Sequence, residues 1–214
     1  MSGDPGDAAA APSSAGLPSP ELSAARLLLV GSGALGVAHL PFWASWLRQS
    51  YPDVELRILL TRSAERFVSP LALSAVSGTT VHRDTWTGHS RVGALHVELA
   101  EWADAVAVHP ATLHFVARLA HGLADTPSLL ALQCTRAVIG VAPSLPPGAL
   151  DNPLVREQLK RLARRPNIVV APTVPGHSAT TGRLDAAVAE PLPALLARVE
   201  ALRARLRPGG GGDG

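Results

Sequence analysis

The stretch "ARLLLVGSGALGVAHLPFWASWLRQ", Ala25 to Gln49, decides the fold. It opens on "RLLLVG" (26–31), apolar after its first residue. A strand with one wet face would alternate with polar residues, so this run reads as a strand buried on both faces. Gly31, Gly33 and Gly36 follow with the spacing G-x-G-x-x-G, and a helix is expected over 37–49. Such a strand–turn–helix unit suits a phosphate-bearing ligand, because helix starts offer unpaired N–H groups. A dinucleotide also asks for an acidic residue closing the second strand. That strand, "VELRILLT" (54–61), runs into "LLTRS" with no carboxylate. Arg62 and Ser63 suit a 2′-phosphate instead, so an NADP site, another phosphate ligand and a purely structural turn all stay open on these residues.

Working outward, strand and helix patterns alternate. "SAERFVSPLALSAVSG" (63–78) reads as helical with a break near Pro70. "DAVAVHP" (104–110) reads as a buried strand and "TLHFVARLAHGLA" (112–124) as the helix after it. "AVIGVAP" (137–143), a helix over 152–164, "NIVVAP" (167–172) and a helix over 190–206 complete the series. Apolar strands each followed by a helix predict one doubly wound α/β domain over 25–206, flavodoxin-like or Rossmann-like, with a parallel sheet. Its ligand is expected at the carboxyl ends of the strands. Residues 1–24, rich in Ala, Pro, Ser and Gly, and the Gly-rich 207–214 are expected to be disordered.

Composition excludes several classes. Of 214 residues 47% are hydrophobic, yet no run is long enough to cross a bilayer, so no membrane span is expected. The first twenty residues carry two Asp and no Lys or Arg, unlike a signal peptide. Cys134 is the one cysteine, so no disulfide framework is expected and the cytoplasm is the default. The net charge is only +2, and the basic cluster "KRLARR" (160–165) falls where a helix ends. It reads as a cap of that helix, and no nucleic-acid partner is expected. His109, His114 and His121 are spaced five and seven apart, not four, so no metal site is expected.

The segment "HVELAEWADAVAVHPATLHFVARLAHGLAD" (96–125) carries a more specific signal. It resembles the central block of the homo-oligomeric flavin-containing cysteine decarboxylases. That family includes phosphopantothenoylcysteine decarboxylase and the peptidyl-cysteine decarboxylases of lantibiotic biosynthesis. Its pattern is a His, an acidic-apolar stretch with "WAD", an apolar strand and a Pro-Ala-Ser/Thr-Ala-Asn-Thr motif opening a helix. Here His96 stands fourteen residues before Pro110, the family spacing, and Pro110, Ala111 and Thr112 match the first half of the motif. "LLTRSAERFVSPLALSAVSG" (59–78) resembles the family's second strand and helix. "GVAPSLPPGALDNPLVREQLKRL" (140–162) sits at its substrate-covering segment, and "TTGR" (180–183) resembles the end of its late loop. The resemblance runs over about residues 25–206.

The resemblance implies a bound FMN, with FAD the alternative, and oxidation of a cysteine. Hydride leaves the cysteine β-carbon for the flavin, giving a thioaldehyde; carbon dioxide then departs and an enethiolate remains. The oxidation needs a group to take the thiol proton, and imidazole suits this near neutral pH. His96 is the candidate base. Cofactor contacts are implied for Ser32, Gly33 and Ala34 on the first turn, for Thr61, Ser63 and Phe67 after the second strand, and for Pro110, Ala111 and Thr112. The hydroxyls among them are also good helix caps. Substrate contacts are implied for Leu145, Pro146 and Arg183. Trp43, Trp46 and Trp86 read as packing or subunit-contact residues.

Three departures set the branch. His114 stands where the motif has Asn, where an imidazole N–H can reach the same substrate carboxylate, and Phe115 replaces the motif's last Thr. Leu145-Pro146 replaces Met-Asn, and the late loop "APTVPGHSATTGR" (171–183) has no cysteine to return hydride to the product. The downstream pattern is also broken, to "ADTPS" (124–128). The leading expectation is oxidative decarboxylation of the C-terminal cysteine of a ribosomally made precursor peptide, by a homotrimer or a dodecamer built of trimers. The alternatives are a non-catalytic flavin-binding regulatory subunit, phosphopantothenoylcysteine decarboxylase and an NADP-dependent reductase.

Overall fold

A computed structural model describes residues 16–86 and 94–207. The chain runs β1 (Arg26–Gly31), α1 (Leu40–Ser50), β2 (Glu55–Leu60), α2 (Pro70–Ser77), β3 (Val81–Arg83), α3 (Leu95–Trp102) and β4 (Ala105–Thr112). It continues through α4 (Leu113–Ala120), α5 (Pro127–Cys134), β5 (Val138–Ser144), α6 (Pro153–Ala163), β6 (Ile168–Val170), β7 (Thr173–Gly176), β8 (Ala186–Ala189) and α7 (Leu192–Leu206). Six strands form one parallel sheet in the order β3-β2-β1-β4-β5-β6, and β7 and β8 form a separate antiparallel hairpin. The strand order reverses between β1 and β4, and the carboxyl ends of the strands at such a switch point are where folds of this kind bind their ligands.

The central strands β1, β4 and β5 each carry an unbroken apolar run because each feeds two cores. Leu27 and Leu29 of β1 face the layer of α1, α2 and α7, with Trp46, Leu73 and Val199. Leu28 and Val30, one residue out of step, face α3, α4, α5 and α6, with Leu99, Phe115, Leu129 and Leu162. The alternation follows from the two-residue period of a strand.

Local chemistry sets the helix starts. Ser69 caps α2 by accepting the Ala72 N–H at 3.3 Å, and Pro70 takes the first helical position, so the break expected near Pro70 is a helix start. Before it, Ala64–Arg66 forms only a short 3₁₀ turn. Asn152 caps α6 through Leu154 N–H at 2.9 Å, ahead of Pro153. Arg165, the last of the basic cluster, donates to the Leu132 carbonyl at 2.9 Å and to Gln133 at 3.0 Å, closing the end of α5.

Several boundaries differ from the sequence reading. The helix expected from residue 37 begins as a 3₁₀ turn, Leu35–His39, and becomes α-helical only at Leu40. β4 continues past Pro110 to Thr112, so α4 starts at Leu113. The packed chain also starts before Ala25. Ala24 is buried, Leu22 rests on the core and the Pro20 carbonyl accepts the Tyr51 hydroxyl at 2.7 Å. At the other end Arg207 donates to Ser23 Oγ at 2.6 Å. The rest of the expected tails, 1–15 and 208–214, lies outside the described residues.

Candidate active site

Most of the candidate residues come from the segments that follow β1, β2, β3, β4 and β5, at one edge of the sheet. The turn after β1 is tied to the end of β4 by Ser32, which is buried. Its hydroxyl donates to the Pro110 carbonyl at 2.7 Å and accepts the Thr112 N–H at 2.8 Å, while its N–H reaches the same carbonyl at 3.1 Å. The Ser32 hydroxyl proton is thus spent on the protein, and its evident work is to join two loops. Thr112 Oγ1 accepts the Phe115 N–H at 3.2 Å and caps α4. Pro110 and Ala111 are buried beneath this junction.

The second loop, after β2, meets the first at Gly33. A Cβ on Gly33 would lie 2.4 Å from Ser63 Cβ and 2.9 Å from the Ser63 carbonyl carbon, so only glycine fits. Thr61 donates its N–H to Gly31 O at 3.0 Å, but its Oγ1 is buried without a partner among the described residues. Ser63 and Phe67 are exposed, and Ala34 lies between Ser32 and the 3₁₀ turn.

His96 and His114 each occupy the second position of a helix that starts at this edge, α3 and α4. His96 is half-buried, with Nδ1 buried and without a hydrogen-bond partner among the described residues. The Trp86 ring meets its imidazole in a T-shaped contact, centroids 5.5 Å apart. His114 is exposed, and its charge contributes to holding the Asp125 carboxyl below its usual range, after the hydrogen bond from Arg118. Among the described residues no group of His, Cys, Asp and Glu could hold a metal ion.

The remaining predicted residues lie around the hairpin. Leu145 is buried and exchanges backbone bonds with Ala187 of β8, at 2.7 and 3.2 Å. Its side chain joins a small core with Ala149 and Val155, so the covering segment holds the hairpin through Leu145 and exposes Pro146. Arg183, on the exposed loop between β7 and β8, pairs with Asp185 at 3.1 Å. Cys134 ends α5 and leads into the amino end of β5, whereas the hairpin joins beyond the carboxyl end of that strand. Cys134 therefore sits at the opposite edge from the late loop.

His109 is a buried residue of this region that the sequence reading left without a role. Its Nε2 lies 2.8 Å from the Glu190 carbonyl, which can only accept, so Nε2 carries the proton and Nδ1 keeps a lone pair. Burial pushes its pKa below the usual 6.5, as burial beside Arg57 does for His82. Protonation therefore favours the unfolded chain. Unfolding free energy should be level above about pH 6.5 and fall as the pH drops below it. Urea titrations across that range check this, and His109→Leu should make the slope shallower.

Residues 17–193 match the family described as Flavoprotein. The chain belongs to that family. This flavoprotein is 33% identical over 178 residues to the cypemycin cysteine dehydrogenase (decarboxylating) of a Streptomyces species, covering 83% of this chain and 92% of that one. The crystal structure of the cypemycin decarboxylase matches with a TM-score of 0.74 at 29% identity, over 89% of this chain and 100% of the other. An FMN-dependent cysteine decarboxylase from thioviridamide biosynthesis matches with a TM-score of 0.66 at 28% identity, over 84% and 98%. The flavoprotein also matches the coenzyme A biosynthesis bifunctional protein of Bacillus subtilis, of which it spans 33%.

The loops fit a phosphate-bearing flavin better than a dinucleotide. In a dinucleotide fingerprint the third glycine permits close packing of the helix on the strand. Here a Cβ on Gly36 would meet nothing nearer than Pro110 Cγ at 4.0 Å, and the α-helix starts four residues later. The orphaned Thr61 hydroxyl, by contrast, is a buried polar group that a bound phosphate or ring carbonyl would satisfy. No helix of the described residues is long and apolar enough to cross a membrane.

Proposed function

We propose that the chain is an FMN-dependent decarboxylase acting on the C-terminal cysteine of a ribosomally made precursor peptide. The observation that carries this is its likeness to the cypemycin enzyme over nearly the whole of both chains. FMN, when bound, supplies the acceptor for the hydride leaving the cysteine β-carbon. Ser63, Thr61 and the backbone around Gly33 hold its phosphate, and Phe67 lies against it. Ser32 and Thr112 set the shape of that cradle through their bonds to the end of β4.

His96 takes the thiol proton, through Nε2, because Nδ1 is the buried nitrogen. His114, exposed in the first turn of α4, donates a hydrogen bond to the peptide's terminal carboxylate, helped by the positive end of that helix. Pro146 and Arg183 border the peptide from the hairpin side. With no cysteine in residues 171–183 to return hydride, the product leaves as the enethiolate. The exposed apolar side chains of Leu35, Phe67 and Leu71 at the flavin edge support assembly into a homotrimer or a dodecamer of trimers. A lone free cysteine supports a cytoplasmic chain.

The test is a purified FMN-loaded protein with synthetic peptides ending in cysteine. Loss of the mass of carbon dioxide plus two hydrogens is expected. A set of such peptides left unchanged by flavin-loaded protein would defeat the proposal. The cradle has its own check. Thr61→Val removes one hydroxyl contact to FMN, a hydrogen bond to a charged group being worth about 1.5–3 kcal/mol. FMN affinity should fall by about 10- to 100-fold by fluorescence titration, with no loss of fold stability because the replaced hydroxyl has no partner among the described residues.

A further inference from the structure

The general base of a reaction must be held at one orientation, and imidazoles usually achieve this through a hydrogen bond on the nitrogen that does not react. His96 lacks that device among the described residues: its inner nitrogen, Nδ1, is buried and unpartnered. What does touch its ring is the Trp86 indole, at 5.5 Å between centroids and 73° between planes. Edge-to-face contacts of this kind have a preferred geometry and so resist rotation of either ring.

Trp86 is itself more than half exposed, and packing alone would not hold it there. Its Nε1–H donates to the Asp125 carbonyl at 2.8 Å. Asp125 is fixed in turn by its carboxylate, which pairs with Arg118 of α4. A continuous strut therefore runs from α4, which carries His114, through Arg118, Asp125 and Trp86 to His96 on α3. The two histidines given roles in the reaction are thereby set relative to each other by groups that touch neither the flavin cradle nor the hairpin.

We propose that Trp86 is a positioning residue that orients the His96 imidazole for proton transfer, by ring contact where a hydrogen bond is missing. This rests on the reading of His96 as the base. A group misplaced by about 1 Å can lower a rate about 100-fold without weakening binding. Trp86→Ala, loaded with FMN and assayed on a synthetic peptide ending in cysteine, should lose about 10- to 100-fold in kcat while KM stays within about twofold. Trp86→Phe keeps a six-membered aromatic ring for His96 but loses the indole N–H that ties the side chain to Asp125, and should recover part of the loss.

A second measurement does not depend on turnover. The ring protons of His96, assigned by their absence from the spectrum of His96→Gln, should move toward free-histidine positions in Trp86→Ala and lie between those and the native positions in Trp86→Phe. The proposal is overturned if Trp86→Ala keeps native kcat, if Trp86→Phe is as slow as Trp86→Ala, or if the His96 resonances ignore both changes. A His96→Gln protein at full activity would instead remove the base itself, and the function reading would fail before Trp86 came into question.

Discussion

Replacing His96 with glutamine should lower kcat for cysteine-terminated peptides by about 10²- to 10⁴-fold, the range a positioned base contributes. FMN binding should be unchanged. The separation follows from where His96 sits. The proposed flavin cradle draws on the turns after β1 and β2 and on the end of β4, while His96 stands on α3. That helix is anchored by Leu99 and Trp102, both on the core side, and glutamine disturbs neither. Glutamine also approximates the imidazole's size while offering no base. A drop in FMN content that matched the drop in rate would assign His96 to cofactor binding, and a rate within about tenfold of native would leave the thiol without its assigned proton acceptor.

How far the sequence disclosed this depends on the kind of signal. The apolar cores of β1, β4 and β5 were legible because burial on both faces leaves no polar residue in the middle of the run, whereas β2 carries Arg57 and was legible from the apolar residues 58–60 that follow it. α3 was not assigned as a helix although Leu95, Leu99 and Trp102 recur at helical spacing, because it is only eight residues long. α5 is harder still. Pro127, Ser128, Leu129, Ala131 and Leu132 are all buried, so its residues show no contrast between faces. β3, β7 and β8 have three or four residues each, too few to display a period.

The site divides in the same way. His96, Thr112 and the glycine turn were legible as candidates because each holds a fixed place in a motif. What they do for one another was not. That Ser32 gives its hydroxyl to Pro110, that Leu145 turns inward to hold the hairpin, and that Trp86 meets His96 are all contacts between residues ten to eighty positions apart. No local pattern encodes such pairs, since the parallel sheet alone brings the loops to a common edge.

The glycine turn gives the second large effect, and it separates glycines that spacing treats alike. Gly33→Ala should destabilise the protein by about 1–3 kcal/mol, the usual cost of overpacking, and reduce FMN affinity by roughly tenfold or more. The added methyl meets the Ser63 Cβ at 2.4 Å and its carbonyl carbon at 2.9 Å, and backbone atoms cannot rotate away. Nor can the turn lift. Ser32, the neighbouring residue, is held by three hydrogen bonds to Pro110 and Thr112. The strain must therefore open either the Ser32 junction or the Thr61–Ser63 loop, and both belong to the proposed phosphate cradle. Gly36→Ala is the contrasting case. It has no positive φ and no neighbour within 4.0 Å except Pro110 Cγ at that distance, so the methyl adds nothing to avoid. It should be neutral or stabilise by about 0.4–1 kcal/mol through the unfolded chain. Thermal unfolding and FMN titration on the two variants decide the matter: equal intolerance would restore the dinucleotide reading of the turn, and tolerance at Gly33 would separate that contact from the flavin site.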